Sequence, residues 1–331
     1  MRASRPSQLI QHRIPQSQRG VAIVTALLLA ALAITLVMSL FGQQNVQVRS
    51  IENQRFQLQK QWVIRGALDW ARLILREDAR VNSVDYLGQP WSVPLADTRL
   101  DQYVDNGRGS EDDTDATLSG FIIDAQSRLN LTNLSVATVI DQSMLAGLQN
   151  LLTAQGLDPA LAEPTAQLVA STQKLGTQFN PDGSVGAAAV SAKFLALTQV
   201  DDLLAIPGFT PESVAKLKDL VVFLPVPTPI NINTATAQVI SARIAGISLS
   251  DAQQIVVARD RAYFKDASDL SSRWPSMTKV AFPGPKVLTT QTNYFIVHGK
   301  VILDRSELEV DTLVERTPVS GKTRIVWSRN N

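Results

Sequence analysis

VAIVTALLLAALAITLVMSLF, residues 21 to 41, has no charged side chain and only Thr25, Thr35 and Ser39 as polar members. At a helical rise of about 1.5 Å per residue such a run reaches roughly 30 Å, the thickness of a bilayer's hydrocarbon core. A cleaved secretory signal has a shorter apolar stretch, about 7 to 15 residues, followed by a small-residue cleavage site. This run is longer and lacks that site, so a transmembrane helix is predicted over 21–41. Arg2, Arg5, Arg13 and Arg19 precede it, and no basic residue follows until Arg49. That asymmetry places the N-terminus in the cytoplasm and exports everything beyond about residue 42.

The helix is expected to continue past the membrane, because residues 43–80 contain no proline and a single glycine, Gly66. Ile51, Leu58, Trp62, Trp70 and Leu73 follow one helical face, with Arg49, Glu52, Asn53 and Lys60 as polar cover. One long helix over about residues 21 to 80 is the reading, apolar first and amphipathic after. The chain has no cysteine, which excludes disulfides, thiolate metal sites and a cysteine nucleophile. Its formal net charge is +1, and with the four leading arginines set aside acids outnumber bases. A bulk polyanion such as DNA is therefore a poor partner.

Residues 82–117 read as loop, with Pro90, Pro94, Gly107 and Gly109. GFIIDAQSRLNLTNL (120–134) reads as a strand running out at its asparagines. YFIVHGKVILD (294–304), SELEVDTLVER (306–316) and KTRIVWSR (322–329) alternate as strands at the other end. One antiparallel sheet on the exported half of the long helix accommodates them, giving an α+β fold. Residues 133–285 between them read as a helical insertion, with helix-start signals at Asp158-Pro159, Thr210-Pro211-Glu212 and Ser250-Asp251. Within it, LLAIPGFTPESVAKL (203–217) looks like a helix-hairpin-helix unit. A looser copy runs from ININ (230–233) through IAGISLSDAQQIV (244–256) to YFKDASDL (263–270).

Arg19-Gly20 followed at once by Val21-Ala22-Ile23-Val24 resembles a type IV prepilin-like signal. With the split sheet, the helical insertion and LTTQTNYF (288–295) leading into the returning strands, nearly the whole chain resembles the K-type minor pseudopilins of the bacterial type II secretion system, the general secretion pathway protein K family. The resemblance implies a pseudopilin fold: a long N-terminal transmembrane helix on an antiparallel sheet, interrupted by an all-α domain with helix-hairpin-helix, SAM-like units. It implies a leader over 1–20, a membrane helix over 21–41, helix and first sheet part over 42–132, the insertion over 133–285 and the second sheet part over 286–331. The prepilin peptidase would cut after Gly20 and leave Val21 as an N-methylated terminus. Thr25 stands where the wider pilin family carries glutamate, a carboxylate that offsets a neighbour's buried ammonium. K-type members share that lack, which implies a place at the filament tip.

The acidic stretch Asp105, Glu111, Asp112, Asp113 and Asp115 is the one cluster resembling hard-cation ligation. Its spacing is not an EF-hand, and calcium there is what the resemblance implies, with Asp112, Asp113 and Asp115 first. For catalysis the inventory is poor: His12 would leave with the leader, His298 sits on a predicted strand beside Gly299, and neither G-x-S-x-G nor H-E-x-x-H occurs. DNA binding by the first hairpin is disfavoured, since Asp201, Asp202, Glu212 and Asp219 outnumber Lys216 and Lys218, and Thr210-Pro211 replaces the second glycine and removes an amide donor.

The expectation is a non-enzymatic, single-pass bacterial inner-membrane protein with a cytoplasmic N-terminus and a periplasmic domain, at the tip of the pseudopilus. It would prime filament assembly and support export of folded proteins. Implied partners are other minor pseudopilins in a tip complex, the major pseudopilin filament, the prepilin peptidase, the inner-membrane secretion platform and secreted substrates, with no nucleic acid. The alternatives are a minor pilin of a type IV pilus, a membrane-anchored DNA-uptake receptor and a signal-anchored periplasmic enzyme.

Overall fold

The computed structural model describes residues 18–100, 116–173, 194–303, 306–317 and 320–330. Helix α1 runs Gln18–Val81. Its segment Gly20–Phe41 has a mean hydropathy of 2.8, long and apolar enough to cross a membrane. The hydroxyls of Thr25 and Thr35 fold back onto the helix: Thr25 donates to the carbonyls of Val21 and Ala22 at 3.0 Å each, and Thr35 to those of Ala31 and Leu32. These polar groups are satisfied within the helix, which keeps its surface compatible with lipid. The chain divides within α1, between Gln61 and Trp62, into two units.

The second unit is built on a five-stranded antiparallel sheet: β1 (Leu95–Arg99), β2 (Ala116–Asp124), β3 (Tyr294–Leu303), β4 (Ser306–Arg316) and β5 (Thr323–Asn330). Their order in the sheet is their order in the sequence. Asp124 at the end of β2 lies opposite Phe295 near the start of β3, so the chain between the two strands, residues 125–293, which contains the stretch 133–285 read as the insertion, leaves and rejoins the sheet at one place. Strand alternation sorts the two faces. Phe295, Val297 and Val314 meet Leu68, Ala71 and Leu75 of α1 together with Trp91. Tyr294, Ile296 and Leu313 point the other way, against Ala125, Val222 and Leu224. The register sets Gly120 opposite Gly299, and a Cβ on Gly299 would lie 3.2 Å from Ile64 Cδ1. Small residues here let helix and sheet approach closely.

Three features differ from the sequence reading. Strand β1 lies inside the stretch read as loop, paired with β2 as an edge strand with an irregular register. Strand β2 ends at Asp124 instead of running to the asparagines, because the Asp124 carboxylate accepts the Gln126 amide at 2.7 Å and bends the chain into the turn Ala125–Ser127. Asn130 repeats the device on the Thr132 amide at 3.1 Å. Such local side-chain bonds compete with the sheet ladder. Finally, α1 carries two apolar stripes. Leu68, Ala71 and Leu75 face the core, while Trp62, Trp70 and Leu73 are 66%, 50% and 44% exposed.

The insertion contains α2 (Gln142–Ala154), α3 (Ala162–Thr172), α4 (Pro211–Leu217), α5 (Ala237–Arg243), α6 (Leu249–Arg261) and α7 (Ala267–Arg273) around their own apolar core. It is not purely helical. Two-residue parallel pairs join Leu129–Asn130 to Val221–Val222 and Ile230–Asn231 to Leu288–Thr289. The two hairpins share one construction. In the first a 3-10 turn, Val200–Ala205, leads to Gly208 at φ +104° and to the Thr210 cap of α4; in the second α5 leads to Gly246 at φ +82° and to the Ser248 cap of α6. The left-handed backbone explains both glycines. The cap of α6 is Ser248, two residues earlier than the Ser250-Asp251 signal, since its hydroxyl accepts the Asp251 amide at 3.1 Å.

Candidate functional site

In the second unit the exposed stripe of α1 is the first candidate. Trp62, Trp70 and Leu73 present apolar surface, and Gly66 lies between them with nothing within 4 Å of its Cβ position. Arg65 sits over the Trp62 ring at 5.2 Å. Along the flank, Arg72 pairs with Asp69 at 3.0 Å, and Arg76 and Arg80 pair with Glu77 at 3.4 and 3.1 Å. Trp70 also borders an apolar groove of about 460 Å³, whose lining includes Ile64, Ala67, Trp91, Val93 and Leu118. Exposed apolar surface with charged residues alongside is the composition that protein contacts use.

The second candidate is the junction at the end of the sheet where the insertion departs. Asp78 of α1, Asp85 of the following loop, Asp124 of β2 and Arg316 of β4 are all buried there. Arg316 Nη1 is 3.3 Å from Asp78 Oδ2, and its Nη2 is 2.5 Å from Asp85 Oδ1. The Asn231 side-chain amide donates to the Asp85 carbonyl at 3.0 Å and to Asp124 Oδ2 at 2.9 Å, and the Thr234 hydroxyl donates to Asp124 at 2.6 Å. Burial pushes the carboxyls of Asp78, Asp85 and Asp124 up from the ordinary range, Asp85 to about 6 against the opposing pull of Arg316. Asn233 then closes on the Phe264 carbonyl and amide, and Arg259 donates to the carbonyls of Ile232 and Ala235. The ININ run, read as the start of a hairpin copy, therefore ties the insertion to the sheet through Asn231, while Asn233 fastens the run to Phe264 within the insertion.

The other sequence-derived residues fall as follows. Gly20, Val21 and Thr25 lie near the N-terminal end of α1, all exposed. His298 lies on β3, where Nδ1 pairs with Asp311 of β4 and the ring stacks on Phe121 at 4.4 Å. Asp105, Glu111, Asp112, Asp113 and Asp115 lie outside the described residues, as does His12. Among the described residues no group of three His, Asp or Glu is arranged to hold a metal ion. The junction acids and Arg316 were missed because they are scattered along the sequence. Their only signal was the pairing of asparagines in ININ with an aspartate ending a strand.

Two family profiles described as type II secretion system protein K match residues 127–226 and 230–291, which together take in the whole helical hairpin region. The type II secretion system protein K of Pseudomonas aeruginosa PAO1 is 27% identical over 327 residues, covering 94% of this chain and 92% of the relative. Over nearly its whole length the chain resembles type II secretion system protein K. A chain of the crystal structure of the GspK-GspI-GspJ complex from the enterotoxigenic Escherichia coli type 2 secretion system shares its fold, with a TM-score of 0.64 at 20% identity over 86% of this chain and 99% of that one. The chain thus has the pseudopilin α+β fold, and among the described residues one N-terminal apolar helix fits a single-pass membrane anchor.

Proposed function

We propose that the chain is a non-enzymatic minor pseudopilin that joins other minor pseudopilins at the tip of the type II secretion pseudopilus, primes the filament, and supports export of folded proteins across the outer membrane. The carrying observation is the exposed Trp62, Trp70 and Leu73 face of α1 beside the apolar groove. A helix from a neighbouring subunit would cover this surface and place an apolar side chain in the groove. The E. coli relative was crystallised with GspI and GspJ, which supports partners of that class. The Arg19-Gly20-Val21 junction supports processing by the prepilin peptidase after Gly20, with Val21 methylated, and the arginine-rich leader supports an inner-membrane anchor whose larger domain is periplasmic. Thr25, which cannot offer a carboxylate to an incoming subunit's ammonium, supports the terminal position.

The test is complementation of a secretion strain lacking this chain. Wild type restores export. Trp62→Ser with Trp70→Ser is expected to accumulate in the membrane at wild-type level yet fail to restore it. Full export by that double variant would remove the proposed contact surface.

A further inference from the structure

The junction at the foot of the insertion buries more negative charge than it balances. Asp78, Asp85 and Asp124 are 7%, 2% and 2% exposed, and Arg316 is the guanidinium that meets two of them. Among the described residues, the donors to Asp124 are neutral: the Gln126 amide, Asn231, and the hydroxyls of Thr234 and Thr292. Two residues join Asp124 to Asp85. Thr292 donates its amide to Asp85 Oδ2 at 2.7 Å and its hydroxyl to Asp124 Oδ1 at 2.6 Å. Asn231, from the insertion, donates to the Asp85 carbonyl and to Asp124 Oδ2. Burial is the main force that keeps a proton at these linked carboxyls, the Asp124 charge adds a smaller push on Asp85, and the apparent ionisation belongs to the pair. The Thr234 and Thr292 hydroxyls can turn from donor to acceptor, so a protonated Asp124 keeps its partners. A polar cavity of about 280 Å³, lined by Asp85, Arg316, Thr292, Asn293 and Arg80 among others, gives the proton a route.

We propose that the Asp85 and Asp124 pair is a proton-operated clamp on the helical insertion. With the proton present, Asn231 and Thr234 stay docked on the sheet; when it leaves to solvent past Asp85, the cost of keeping a further carboxylate charge buried, with its repulsion by the other, loosens that hold. The charged groups facing the pair are Arg316 from β4, Asp78 from α1, and Arg80 with its partner Glu77 at the cavity mouth.

The sign follows from the raised carboxyls. The docked state holds a proton that an opened chain gives up near the ordinary carboxyl value of 3.8, so anchorage is greatest below that pH, falls as pH rises through about 6, and is level above. Tenfold per pKa unit makes the opening equilibrium rise by up to about 100-fold over that range.

Deuterium exchange of the full chain in detergent, corrected for intrinsic rates and followed from pH 4 to 8, reads this directly. Peptides over 228–236 should lose protection by tens-fold to about 100-fold as pH rises, while α6 peptides stay level. Asp124→Asn and Asp85→Asn should each remove most of the slope, and His298→Gln, the imidazole control, should keep it. A level wild-type profile overturns the proposal without reference to any variant. So does a slope that survives both aspartate substitutions, or one that vanishes with His298→Gln.

Discussion

Arg316 Nη2 lies 2.5 Å from Asp85 Oδ1, and the two side chains are only 7% and 3% exposed. The pair links the loop after α1 to the end of β4, and Arg316 also donates to the carbonyls of Leu75 and Thr292 and lies 4.6 Å from the Phe295 ring. One guanidinium therefore fastens α1, its following loop and the sheet at the point where the insertion departs.

Removing that guanidinium leaves Asp78 and Asp85 buried without a cation. Arg316→Met should cost about 3–5 kcal/mol at pH 7, the penalty for breaking one side of a buried pair. Because burial already raises both carboxyls, and losing Arg316 raises them further, the deficit should shrink as pH falls toward 4 and the acids take up protons. Denaturant midpoints at the two pH values check this.

Glycine substitutions at two helical positions should move stability in opposite directions. A Cβ on Gly147 of α2 would strike the Ala242 carbonyl oxygen of α5, a backbone atom that cannot yield, so Gly147→Ala should cost about 1–3 kcal/mol. Gly66 meets nothing, and Gly66→Ala should stabilise α1 by up to about 1 kcal/mol. Thermal unfolding of the two variants compares them.

Much of this architecture is legible in the sequence. The uncharged run 21–41 announces α1, and the alternation of residues 294–316 announces β3 and β4. Periodicity cannot say which of two apolar stripes meets the core. Trp62 and Trp70 look like core residues by size, yet Leu68, Ala71 and Leu75 fit the space beside Trp91 and Phe295. The junction is illegible for another reason. Asp78, Asp85, Asp124, Asn231 and Arg316 carry no local pattern, and only the return of the chain to one end of the sheet brings them together.

Processing offers a separate prediction. Protein recovered from membranes should begin at Val21 and be heavier by one methyl group, and this product should vanish in cells without the prepilin peptidase. Mass spectrometry of the N-terminal peptide reads both.

Assembly through the exposed face of α1 is tested most directly by a photoreactive phenylalanine analogue at position 70, activated in intact secreting cells. Trp70 is half exposed and borders the groove, so a neighbouring helix docked there lies within reach. The expected result is one dominant crosslinked product containing a second minor pseudopilin, absent from a strain lacking that subunit. A probe-bearing protein that restores export yet yields no such product would contradict assembly through this face.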